Sequence, residues 1–150
     1  MYKIRDWLYI GNYRDTKNLP LLKNHNIGAA LLLADDAEMP EIEKKVLLVE
    51  DGVSQTPDDL ANGIKFIRAQ KADGKVVLSA CGAGISRSTT YAIGALKEEE
   101  GGAILDILLN IKKYHPNALP HIRLWHSLNQ YYDEKTPYQE IWKAMRNDQA

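Results

Sequence analysis

Cys81 is the single cysteine of the 150-residue chain, and Gly82-Ala83-Gly84-Ile85-Ser86 separate it from Arg87 and Ser88. These residue types at this spacing suit the chemistry of a bound phosphate. Gly82 and Gly84 permit the backbone angles and the close approach that a phosphate needs. Successive N–H groups of a tight loop form an anion nest. A helix starting at the end of the loop adds its own N–H groups and partial positive charge. Arg87 would close the cradle with a bidentate fork to two phosphate oxygens. The same field favours the thiolate of Cys81, because a thiol at a helix N-terminus beside an arginine gives up its proton readily. A thiolate aimed at a bound phosphate is a nucleophile for phosphoryl transfer. Ser88 would donate a hydrogen bond to that sulfur and later help release it as the leaving group. The bland reading of a free cysteine is a small buried hydrophobe; the glycine-bearing loop and the arginine behind it weigh against that.

A phosphate ester leaves more easily when its bridging oxygen is protonated as the bond breaks. Asp51 is the candidate acid, since it follows an apolar run and precedes a helix. In a second step the same carboxylate would take a proton from water. Its rival reading is a turn, Asp-Gly being a common turn pair. Glu50 is the nearest alternative, but strand alternation would turn it to the opposite face. Asp35 and Asp36 read as turn or rim residues, Asp58 and Asp59 as helix-start charges, and Glu98-Glu99-Glu100 as a solvated helix end. His25, His115, His121 and His126 lack His-Glu-x-x-His spacing. With one cysteine a structural zinc site is not expected, so the reading calls for no metal and no cofactor.

The elements that would position these residues alternate. Apolar runs at 7–10, 27–33, 46–49 and 76–79 read as short strands, each stopped by polar or small residues. Helices are expected over 19–26, from Thr56 to about 73, over 88–100, over 103–114, and after Pro120 through Leu124, Leu128 and Tyr131. Thr56-Pro57-Asp58-Asp59 is a helix start with a cap, Pro at the first position and acids in the first turn. Gly101-Gly102 and Pro116 stop the two helices before them. Strands interleaved with helices argue for an α/β sandwich with a central, mainly parallel sheet. The length suits one domain over 1–150. Apolar residues make up 45% and charged residues 26%, with a net charge of −1; that balance excludes a disordered chain and predicts no nucleic-acid or membrane footprint. The lone thiol suits a reducing compartment and places the protein in the cytoplasm. The expected working unit is a monomer.

The segment Cys81-Gly82-Ala83-Gly84-Ile85-Ser86-Arg87-Ser88 resembles the signature loop of the cysteine-dependent protein tyrosine phosphatases. It is most similar to the small dual-specificity phosphatases, whose loop often reads Cys-x-x-Gly-x-Ser-Arg-Ser. Leu8-Tyr9-Ile10-Gly11 resembles the family's opening strand. Asp51 stands where such enzymes keep their general acid. His115-Pro116 through Pro120, with the following helix, resembles the closing segment that packs beside the loop. The resemblance implies metal-free, two-step hydrolysis through a phosphocysteine, with a phosphorylated protein as substrate. Two positions depart from the pattern. Ala80 replaces a histidine that supports the loop and the reactive thiol. His121 replaces an asparagine that braces the loop, so the brace falls either to His121 or to another group.

Two rival readings share the loop. The same chemistry on a phosphoinositide, a sugar phosphate or an RNA 5′-phosphate would call for extra lysines, and positions 82–86 carry none. A phosphate-binding module with little turnover is motivated by Ala80, while Cys81, Arg87 and Ser88 together speak against it.

Overall fold

The computed structural model describes residues 1–148. Five strands form one sheet: β1 (Tyr2–Arg5), β2 (Leu8–Asn12), β3 (Ile27–Leu32), β4 (Glu43–Val46) and β5 (Val76–Cys81), in the order β1-β2-β5-β3-β4. β5 lies in the middle, parallel to β2 and β3, and only β1 runs antiparallel. A central parallel strand is covered on both faces, which is why Val76-Val77-Leu78-Ser79-Ala80-Cys81 is so uniformly apolar or small. Alternation along β5 sorts its side chains. Val77 and Cys81 join the larger core, and Leu78 and Ala80 the smaller one. Ala80 therefore points away from the face that carries the sulfur.

The larger core packs beneath α3 (Pro57–Ala72), α4 (Arg87–Glu100), α5 (Ile104–Tyr114), α6 (Ile122–Tyr131) and α7 (Glu140–Asp148). α1 (Tyr13–Thr16) and α2 (Leu19–Asn24) follow β2, and Leu22 of α2 belongs to the smaller core on the other face. The Thr56 side chain accepts from Asp59 N–H, and Gly101 ends α4 at φ 78°.

Three expectations require correction. The strand placed at 46–49 lies at Glu43–Val46, and the apolar residues follow it in an irregular segment. Glu50 and Asp51 are thus outside any strand, and alternation does not separate their faces. β1 was not foreseen, because Tyr2-Lys3-Ile4-Arg5 buries only Ile4 fully. Glu98-Glu99-Glu100 is not simply solvated: Glu98 and Glu99 pair with Arg68, Glu99 also with Lys71, and Glu100 with Arg5. The described residues contain no helix long and apolar enough to cross a membrane.

Candidate active site

β5 delivers Cys81 to its C-terminal end, the edge at which parallel sheets bind ligands. Cys81 is 3% exposed and sits at the base of the loop that follows. Its sulfur lies 3.1 Å from Ser88 Oγ, in the first turn of α4. Ser79, on the same face of β5, fixes that turn by donating its hydroxyl to the Ser88 carbonyl at 3.0 Å.

The loop's carbonyls are held from outside. Gly82 O accepts from Tyr13 N–H at 3.2 Å, Ile85 O from Leu119 N–H at 3.1 Å, and Ser86 O from Thr90 N–H at 3.0 Å. Gly84 O lies 2.6 Å from His115 Nε2. In a trans peptide the C=O of one residue and the N–H of the next point opposite ways, and no peptide here is cis. Each outward carbonyl thus turns the next amide to the other side of the loop. Among the described residues the amides of 83–87 meet no protein acceptor. Gly84 allows this at φ +72°, and a Cβ there would sit 2.9 Å from the Gly11 carbonyl. The loop is pressed against the end of β2.

α4 begins without the usual cap: Ser86 occupies the capping position and makes no capping hydrogen bond. Its hydroxyl instead donates to Asp51 Oδ1 at 2.8 Å and accepts from His121 N–H at 2.8 Å. The first-turn amides of α4 are left free, which suits an anion at that helix end.

Arg87 is anchored by one nitrogen. Nη1 donates to the Val49 carbonyl at 2.9 Å, while Nε is buried with no partner. Nη2 would lie 3.1 Å from a Cβ on Gly82, so glycine leaves room for the guanidinium there. The Nε and Nη2 pair is the edge that could fork two oxygens of a tetrahedral anion. Val49 belongs to the segment that carries Asp51, so Arg87 and Ser86 tie that segment to the loop at two points.

All the residues singled out by spacing converge here: Cys81, Gly82, Ala83, Gly84, Ile85, Ser86, Arg87, Ser88 and, through Ser86, Asp51. Asp51 remains exposed, and Gly52 behind it lies against the His121 ring, whose Nε2 is 3.5 Å from a Cβ built there. His121 Nδ1 accepts from Arg123 N–H at the start of α6. Its ring therefore backs the acid segment, not the loop. The side chain that reaches the loop is His115. The resemblance of His115-Pro116 through Pro120 to a segment packing beside the loop placed it nearby, while its contact with Gly84 O and its burial, at 2% exposed, were not singled out by spacing. Among the described residues no group of three or more His, Cys, Asp or Glu side chains could hold a metal ion.

Known proteins resemble this chain in sequence and fold. A family model described as "Dual specificity phosphatase, catalytic domain" matches residues 8–134. Dual specificity protein phosphatase 22-A of Danio rerio is 25% identical over 146 residues, covering 95% of this chain and 70% of the relative. Dual specificity protein phosphatase 19 of Mus musculus is 28% identical over 133 residues, covering 85% of this chain and 60% of the relative. The crystal structure of DUSP15 superposes with a TM-score of 0.78 at 27% identity, covering 86% of this chain and 85% of that one. The crystal structure of human DUSP28 reaches 0.82 at 18% identity, a likeness of fold.

Proposed function

Because the chain belongs to the dual specificity phosphatase catalytic-domain family, which are cysteine-dependent protein phosphatases, we propose that it hydrolyses phosphotyrosine, and phosphoserine or phosphothreonine, through a phosphocysteine at Cys81. The observation that carries this reading is the sulfur at the base of a loop whose carbonyls are held outward and whose amides are free.

The amides of 83–87 and the Nε–Nη2 edge of Arg87 bind the three non-bridging phosphate oxygens. The Cys81 thiolate attacks phosphorus, the bond to the ester oxygen breaks, and protonated Asp51 gives its proton to that oxygen. A water then attacks phosphorus, Asp51 takes its proton, and the P–S bond breaks. Ser88 donates to the departing thiolate, and inorganic phosphate is released. Arg87 and the amides stabilise charge in both steps without reorganising.

Protein side chains are favoured over polyanionic substrates, because positions 82–86 carry no cation and Ile85 and Ile122 are 37% and 42% exposed. Aliphatic groups of this kind suit the side chain of a phosphorylated residue. We further propose that residues 1–150 form one catalytic domain that works as a monomer in the cytoplasm and needs no metal, membrane or nucleic acid.

The deciding experiment is hydrolysis of an aryl phosphate and of phosphotyrosine and phosphothreonine peptides in the presence of a chelator. Turnover should persist with chelator, and acid quenching should trap a phosphoryl group on Cys81. Cys81→Ser should abolish turnover; full activity in that variant refutes the reading. Phosphopeptide binding without hydrolysis by the unaltered protein would point to the binding module that Ala80 suggests.

A further inference from the structure

Four carbonyls of the loop are held outward, and three of them are taken by backbone N–H groups. The fourth, Gly84 O, is held by a side chain, His115 Nε2, at 2.6 Å. His115 is the first residue after α5 and is buried, and its ring is stacked on Tyr2 of β1 with centroids 3.8 Å apart and planes 7° from parallel. Its other nitrogen, Nδ1, is buried without any partner. An unpaired buried acceptor is unfavourable, and a leucine would fill such a site without one. A polar group kept at a local disadvantage marks a site held for another purpose. Among the described residues the ring makes one polar contact, and that contact is with the loop.

The chemistry fixes the tautomer. A carbonyl oxygen only accepts, so Nε2 carries the proton. Burial pushes His115 below its ordinary value, which keeps the ring neutral and Nδ1 unprotonated. The groups around it are the Tyr2 ring from β1, the Lys112 ammonium from α5, held by the Pro116 and Ala118 carbonyls, and the Met1 ammonium, paired with Asp15.

We propose that His115 is a positioning residue of the phosphate loop: its Nε2–H holds the Gly84 carbonyl outward and thereby aims the Ile85 amide at the bound oxyanion. The two groups belong to one peptide plane, and rotating the carbonyl inward would set an oxygen against the anion in place of a hydrogen. Gly84, a glycine at φ +72°, has the backbone freedom of its residue type, and its plane is anchored by a side chain, not by a backbone N–H. The neighbouring Ile85 carbonyl is caught by Leu119 N–H from the same connection between α5 and α6. This connection forms the outer wall of the loop. The support that Ala80 cannot supply from β5 arrives from here.

The assignment rests on the phosphatase reading for its catalytic readout but not for its binding readout. His115→Gln places an amide N–H near the Nε2 position; His115→Asn is too short to reach, and His115→Leu has no donor. Inhibition by inorganic phosphate and the kcat and KM for an aryl phosphate are measured in each folded variant. The leucine and asparagine variants should lose roughly tenfold or more in phosphate affinity and in kcat/KM, the size expected for one misdirected hydrogen bond to a charged group. The glutamine variant should recover most of that loss. A folded leucine variant that binds phosphate like the parent overturns the assignment, as does a glutamine variant that recovers nothing. If the leucine variant does not fold, the asparagine–glutamine pair decides by the same comparison. If the unaltered protein binds phosphate but hydrolyses no ester, the phosphatase reading fails, and His115 is judged on phosphate binding alone.

Discussion

Asp51 meets the loop through a single oxygen. Oδ1 accepts from Ser86 Oγ at 2.8 Å and from Gly52 N–H at 3.0 Å. With Oδ1 so occupied, the proton of the acid form belongs on Oδ2, the oxygen free to face a leaving group. Asp51→Asn should therefore lower kcat by about 10²–10⁴-fold on esters of poor leaving groups. The loss should be much smaller on esters of acidic phenols, which depart without a proton. A series of aryl phosphates of graded leaving-group acidity measures this; an equal loss across the series would remove Asp51 from the acid role. His115 makes a second claim at this scale. Burial is the main cause that pushes it below 6.5, opposed by its hydrogen bond to Gly84 and aided by Lys112 and the N-terminal ammonium. As pH falls through 6.5 the unfolded ring takes a proton and the folded ring does not. The unfolded state then holds more protons, so this contribution is intact above pH 6.5 and is lost as pH falls through the folded value. Glu99 and Glu100 are held below 4.5 by Lys71 and Arg5 and act only in a lower window. Urea midpoints taken between pH 7.5 and 5.5 should fall in the parent and stay nearly flat in His115→Gln.

The contact between α3 and α4 sets where the loop and the acid segment meet. Gly63 on α3 faces the Tyr91 ring of α4, and a Cβ on Gly63 would enter that ring. The ring cannot turn aside, because it is fully buried and its hydroxyl donates to Gln55 Oε1 at 2.8 Å. Gly63→Ala should destabilise the fold by about 1–3 kcal/mol of overpacking, offset by up to ~1 kcal/mol of helix propensity. A urea midpoint that rises in this variant would contradict the packing. Because Gln55 N–H also donates to Ser127 Oγ at 2.9 Å, the displacement would reach the segment that holds Asp51. Elements of this kind differ in how plainly residues announce them. α3 was legible from Thr56-Pro57-Asp58-Asp59, and β5 from its unbroken apolar run, because a central strand and a capped helix leave strong local marks. β1 and β4 were not, since edge strands bury little: β1 buries only Ile4 fully, and β4 carries Lys44 and Lys45 on opposite faces. The site divides in the same way. Residues 81–88 form one contiguous segment and could be read directly. Asp51 was legible from its position after the third apolar run. The Ser86 bridge and the contact of His115 with the Gly84 carbonyl depend on chain segments brought together by folding; the resemblance placed the His115 segment beside the loop, but no spacing reveals either contact.

Four separate pieces of chain converge on the cradle: the turn from β2 into α1, the segment of Val49 and Asp51, the loop from β5 into α4, and the connection from α5 to α6. An oxyanion bound there draws on all four and has no counterpart in the unfolded chain. Its binding free energy is then added to the stability of the whole domain. At a phosphate concentration of 100 times Kd the gain is about 2.7 kcal/mol. For a domain of this size that corresponds to a rise in Tm of roughly 5–11 °C. A net charge of −1 gives no reason for phosphate to bind elsewhere, and chloride at matched ionic strength controls for screening. The donors in this cradle are amides and a guanidinium, so Cys81→Ser should keep most of the rise, even though it loses turnover. Arg87→Ala should lose most of it, because the free Nε and Nη2 edge is removed along with the Val49 anchor. An Arg87→Ala protein stabilised by phosphate as strongly as the parent would show that the anion sits elsewhere on the molecule. Thermal melts across a phosphate titration thus test the convergence of the fold on one anion separately from any step of catalysis.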